Sequence, residues 1–342
     1  MRRARGQHDG AAWRRRLRRD RFGTAALALT AAIVLACFVG GPVMARVVGH
    51  GPNDPFPYAV NASNRPAGPW ARVPAVHSAV SDDSGTLVPP KSGPTTLLVL
   101  GGDGPLGRDL LLRILYGGIV SIEVGLLAVL IALLIGVLLG AAAGLLGGLV
   151  DAVVARLSEL TMALPVLFLL VLVGSSGFGR ALQGVTLGVF NRGVVSVALA
   201  IGVFLWFYPA RLVRTQLRML HGREFVEAAE ALGGSRRWIL RKHLAPHLVP
   251  ALAAWATTAV ATAVVFEIGV TFLNAGVRLP TASWGRLLAD TWGSPLSPAR
   301  FDPAFSSIWP TVFTSLALFL TVAAVFEAGE AVQRALLPER RK

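Results

Sequence analysis

Six stretches of this 342-residue chain, 24–44, 119–146, 153–173, 194–210, 251–273 and 311–332, are apolar almost throughout. Each is near the ~20 residues that a helix needs to cross the hydrocarbon layer of a membrane. Backbone in lipid must satisfy its own hydrogen bonds, which leaves helices or closed barrels. The runs are continuously apolar rather than alternating, so a barrel is excluded. A hydrophobic content of 54% and a mean hydropathy of +0.59 are too apolar for an ordinary soluble domain. The expected fold class is an all-α polytopic membrane protein with six transmembrane helices.

The net charge is +14. Its placement argues for a membrane boundary and against a nucleic-acid surface, because the cations gather at the ends of apolar runs. Residues 1–21 hold nine arginines: Arg2, Arg3, Arg5, Arg14, Arg15, Arg16, Arg18, Arg19 and Arg21. The segment 211–250 holds Arg211, Arg214, Arg218, Arg223, Arg236, Arg237, Arg241 and Lys242, and the tail holds Arg334, Arg340, Arg341 and Lys342. The positive-inside rule then puts 1–21, 147–152, 211–250 and the tail after 332 in the cytoplasm. The segments 45–118, 174–193 and 274–310 fall outside, and both termini are expected to be cytoplasmic. A basic segment before an apolar run also reads as a cleaved signal. The run is long for one and lacks a clean small-x-small site, so it is expected to stay as the first helix. The one cysteine, Cys37, allows no disulfide and no cysteine-based metal site within the chain.

Four parts follow in order. Residues 1–44 form a basic N-terminus and the first helix. Residues 45–118, dense in Pro, Gly, Asn, Asp and Ser, form an irregular extracytoplasmic insert between the first and second helices. Residues 119–335 form a five-helix core that carries the polar loop 211–250, and 336–342 are a tail. Within the second run Gly136, Gly140 and Gly144 lie on one helical stripe, which lets a neighbouring backbone come close.

Several motifs lack their chemical context. Gly102, Gly104 and Gly107 spell G-x-G-x-x-G, but Pro105 interrupts them and a membrane run follows, so no dinucleotide site is expected. The chain has no G-x-x-x-x-G-K-[ST] loop for ATP. His243 and His247 are four apart, but Pro246 lies between them and no third ligand is evident, so no metal is expected. Glu123, Glu159 and Glu327 stand near the ends of apolar runs, where they can reach water. Glu267 stands deeper. A carboxylate at mid-membrane costs ~3 kcal/mol on insertion scales, so Glu267 is a candidate pathway or proton residue as much as a helix-end one.

The loop 211–250 is polar and basic between two apolar runs. Residues 224–232 favour a helix with Phe225, Ala228 or Ala229, and Leu232 on one face. Gly233-Gly234 should end it, and Ser235 can cap a second short helix reaching His243. Pro246 marks the return to the membrane.

The loop resembles the EAA motif of ABC-importer permeases on Glu227, Ala228, Ala229, Gly233 and Pro246. It departs from that pattern at His243 and Ala245. Gly101-Gly102-Asp103, then Leu106-Gly107-Arg108-Asp109, Arg113 and Tyr116-Gly117, resemble the segment before the second span of dipeptide and oligopeptide permeases of the DppC/OppC type. Asp151 after Gly147-Gly148 resembles that family's next turn. Glu267, Phe272-Leu273, Pro280 and Ser283-Trp284-Gly285 resemble its outer segment, with departures at Asn274 and Ala275.

The resemblance implies the pore subunit of an ATP-driven importer in a bacterial inner membrane, for peptides or a similar small solute. It implies a homologous second permease, two ATPase subunits and an external solute-binding protein as partners. ATP and magnesium are expected on the ATPase subunits, with no cofactor and no catalysis on this chain. Glu227, Ala228, Ala229, Gly233 and Pro246 would dock the loop on an ATPase subunit, and its movement would tilt the attached helices. Asp103, Gly107, Arg108, Asp109, Trp284 and Gly285 would build the outer segment. The alternatives are an ion-coupled secondary transporter using Glu267, and a membrane-anchored scaffold or sensor working through the 45–118 insert.

Overall fold

The computed structural model describes residues 17, 20–61, 65–78, 93–182, 193–221, 226, 231–233, 235, 238, 242, 244–292 and 308–336. Among them five helical spans are long and apolar enough to cross a membrane: Arg21–Val48, Leu110–Leu146, Val194–Met219, Leu248–Phe272 and Ile308–Leu336. A sixth exists when the pair Gly148–Ala163 and Val166–Ser175, bent by 86°, counts as one span. The fold is all-α and polytopic, with one span broken.

Helix α1 (Arg21–Leu35) is capped by Asp20, whose Oδ1 accepts from the Gly23 amide at 2.9 Å. A π-helical stretch, Ala36–Gly40, leads into α2 (Gly41–Val48), which ends on Gly49 at φ 76°. Helix α3 (Leu110–Leu146) runs for 37 residues. It starts well before 119, where the apolar run alone would begin it, because Asp109 caps it by accepting from the Leu112 amide at 3.2 Å.

The run 153–173 is not one straight helix. It divides into α4 (Gly148–Ala163) and α5 (Val166–Ser175) around Leu164 and Pro165. Pro165 has no amide hydrogen and disfavours helix at the residue before it, and Leu164 is extended at φ −90°, ψ 140°. A short α6 (Gly177–Leu182) follows. Helices α7 (Val194–Leu205) and α8 (Phe207–His221) are separated at Trp206. Helical structure therefore continues past 210 into the basic segment. Helix α9 (Ala245–Phe272) holds Pro246 in its first turn and Pro250 inside. Helices α10 (Trp284–Trp292) and α11 (Ile308–Leu336) complete the described chain.

The glycine stripe sets a close helix packing. A Cβ on Gly136 would meet Pro209 and the Trp206 carbonyl, one on Gly140 would meet the Ala210 backbone, and one on Gly144 would come within 2.9 Å of Leu217. So α3 and α8 lie nearly backbone to backbone. The main apolar core lies between α3, α7 and α9, around Val124, Ala128, Ile201 and Ala263.

The segment between α2 and α3 is less irregular than its composition suggests. Strand β1 (Ala71–Pro74) pairs antiparallel with β2 (Thr95–Leu98), with Ala71 opposite Leu98. Strands β3 (Gly102–Asp103) and β4 (Arg108–Asp109) form a second small antiparallel pair. Phe56, Ala59, Val73 and Leu98 give this insert a small apolar core.

Candidate functional site

The G-x-G-x-x-G stretch is a tight hairpin at the foot of α3. Gly104 and Gly107 take φ 60° and 61°, which glycine reaches without strain. A Cβ at Gly107 would also strike the Phe56 carbonyl. The hairpin aligns Asp103 opposite Arg108, and Asp109 beside it caps α3.

Around this hairpin lies a buried charge cluster. Arg108 donates from Nη2 to Asp103 at 3.3 Å and to Asp290 of α10 at 3.0 Å. Arg113 Nε pairs with Asp103, and Arg113 Nη1 donates to Asn53 at 3.1 Å. Arg286 bridges Asp290 and Asn274, each at 2.7 Å. His50 Nε2 lies 3.1 Å from Asp109. Asp103 and Arg113 are fully buried. Burial pushes the Asp103 carboxyl above its ordinary value, while Arg113 and Arg108 pull it down. Three arginines and three aspartates thus fasten the insert, the start of α3 and α10 into one block.

Trp284 and Gly285 belong to the same end. The Trp284 indole is buried and donates to the Ile114 carbonyl at 3.0 Å. A Cβ on Gly285 would lie 2.8 Å from the Ile268 carbonyl, so α10 starts flush against α9.

Glu267 is buried one turn before the end of α9. Ser121 of α3 donates to its Oε2 at 2.7 Å and Thr271 to its Oε1 at 2.9 Å. Ser121 also accepts from the Trp284 amide at 3.3 Å. The carboxylate is therefore the junction of α3, α9 and α10. An apolar cavity of about 340 Å³ lies nearby, between α5, α7 and the end of α9. Glu267 is not among its described lining residues.

The other end of α3 carries the loop. Glu227, Ala228 and Ala229 lie outside the described residues. Gly233 takes φ 78° and is exposed, beside Leu232, which is 89% exposed. Ser235 accepts from the Trp238 amide at 3.3 Å, a helix-capping bond. Pro246 is exposed in the first turn of α9. The loop is rooted by Val226 and Leu244, which are buried with Val213, Leu217 and Leu248 and pack against Val137, Ala141 and Leu145. Beside that root Asp151, in the first turn of α4, takes both fork nitrogens of Arg214 and a further bond from Arg218.

The structure thus separates the proposed residues into two groups at opposite ends of α3. Asp103, Gly107, Arg108, Asp109, Trp284, Gly285 and Glu267 meet at one end, and Gly233 and Pro246 lie at the other. Sequence reasoning did not single out Arg286, Asp290, His50 or Ser121 as members of these networks. Arg286 and Asp290 carry a detectable signal, opposite charges four apart on a short amphipathic stretch.

A family model described as "binding-protein-dependent transport system inner membrane component" matches residues 136–342, more than half of the chain. The chain belongs to that family. The permease resembles the oligopeptide transport system permease protein OppC of Salmonella typhimurium, at 37% identity over 241 residues, 70% of this chain and 72% of that protein. It resembles OppC of Escherichia coli K12 at 36% over 241 residues, with the same 70% and 72% coverage. It resembles OppC of Haemophilus influenzae at 33% over 240 residues, 70% of each chain. This permease is a multi-pass inner-membrane protein, the transmembrane pore subunit of an ATP-driven importer.

Proposed function

We propose that the permease imports peptides and that the segment 211–250 couples it to ATPase subunits. In this reading the loop and both termini face the cytoplasm, and the insert and α10 face outward. A homologous second permease, two ATPase subunits with ATP and magnesium, and an external binding protein complete the assembly. Glu227 makes a charge-assisted contact with the ATPase, and Gly233 fixes the turn that presents it. The pore chain itself carries no catalysis and no cofactor.

The observation that supports this reading is how the loop is held. Its root is buried on α8, α9 and the end of α3, while Leu232, Gly233 and Trp238 near the turn are exposed. A segment rooted in three helices and bare at its turn can pass a push from a partner into those helices. ATP binding on the partner would bias this element between two positions.

The ion-coupled alternative through Glu267 gains no support from geometry. Both Glu267 oxygens are hydrogen-bonded and the residue is wholly buried. The scaffold alternative does not account for the family.

The test is peptide uptake in cells carrying Glu227→Lys or Gly233→Val. Both variants are expected in the membrane at normal amounts, with uptake lost and with the ATPase no longer co-purifying. Normal uptake in both would overturn the coupling assignment. Loss of uptake on Glu267→Gln with no ATPase requirement would restore the ion-coupled alternative.

A further inference from the structure

We propose that Asp151 is the positioning residue through which the loop's movement reaches the broken span, α4 and α5. The inference rests on the coupling reading above and adds a route to it.

The last turns of α8 present two pairs of residues four apart. Val213 and Leu217 face the apolar root of the loop, with Val226 and Leu244. Arg214 and Arg218, one position further round the helix, face Asp151. Arg214 grips the carboxylate with a planar fork, Nε on Oδ1 and Nη2 on Oδ2, the latter at 2.8 Å. Such a fork fixes orientation as well as distance, which a single ammonium would not. One short length of helix therefore holds the loop on one face and α4 on the next.

Elsewhere α4 is thinly held. Its buried residues are Asp151, Val154 and Ser158, all in its first three turns. Leu157, Leu160, Met162 and Leu164 are exposed, up to the bend at Pro165. Just past the bend, Val166 packs against the main core, and Leu170 of α5 is buried. The bent pair is thus a strut fixed by its first turns and again just past the bend, with an elbow at 159–165 between them that is largely exposed in this chain. At 1.5 Å per residue, the elbow stands roughly 20 Å from Asp151, so a tilt of about 10° at the fixed end moves it by roughly 3 Å. A small rotation of α8 becomes a displacement at the elbow, with Asp151 as the polar tie between the two beside the apolar packing of Val154 with Phe207 and Ala210.

The experiment uses the full assembly, this chain with its second permease and ATPase subunits, on a Cys37→Ala background. Single cysteines at Leu232 and, separately, at Leu164 are labelled with a maleimide, without nucleotide and after trapping with ATP and vanadate. In the background both labelling rates should change at least threefold on trapping. With Asp151→Asn the Leu232 response should persist and the Leu164 response should fall below 1.5-fold. Asp151→Glu should restore it. A Leu164 response that survives Asp151→Asn overturns the proposal. Absence of a response at both positions in the background overturns the coupling reading, and this proposal with it. Should Asp151→Asn fail to assemble, the Arg214→Gln, Arg218→Gln double variant removes the same bonds from the opposite side, with the same expected and overturning results.

Discussion

An aspartate–arginine cluster lies near each end of helix α3, and the two differ in how much water reaches them. Near the insert, Asp103 and Arg113 are wholly enclosed. Near the loop, the Arg214 and Arg218 side chains are 24% and 50% exposed around Asp151. Enclosed charges are held by each other because removing one strands the rest without solvent. Half-wet charges can part and rejoin at little cost. The same residue types thus make a fixed block at one end and an adjustable link at the other.

This contrast breaks most sharply at Arg113. Arg113→Ala leaves the wholly buried Asp103 with Arg108 as its one remaining cation among the described residues, and stability should fall by about 3 kcal/mol, read as a lowered unfolding temperature of the purified chain in detergent. Gly107→Val forces a branched side chain into a positive-φ position against the Phe56 carbonyl, and about 1–3 kcal/mol should be lost in the same assay. Arg218→Gln should cost less than about 1 kcal/mol, although transport should suffer. Salt gives the smallest effect. Raising it from 0.15 to 0.5 M should loosen the Asp151 link and leave the enclosed cluster unchanged, compared by hydrogen exchange in α4 and in the insert. Equal losses for Arg113→Ala and Arg218→Gln would erase the distinction between the two ends.

The number of spans was legible because lipid tolerates so few backbone solutions. Their ends were less so, since hydropathy falls off gradually whereas helices stop at caps and prolines. Asp109 before an apolar run and Pro165 inside one were visible signals, and each outweighs hydropathy locally. The hairpin at Gly107 was missed, because its glycines sit in a segment whose composition reads as an irregular loop. The partners of Glu267 were not, because Ser121 lies 146 residues away. The Arg108–Asp290 pair spans 182 residues, a contact that only the packed bundle creates. The loop motif rests on family spacing alone, and Glu227 to Ala229 lie outside the described residues.

At 37 residues, α3 is about 55 Å long, against a hydrocarbon layer of about 30 Å. Roughly 25 Å of rod must therefore project past the acyl chains, or lean away from the bilayer normal. In an upright molecule that surplus, shared between the two ends, would carry the enclosed cluster out of the acyl layer like the cap of a mast. A partner approaching from that side would meet a stiff landing platform at the membrane surface.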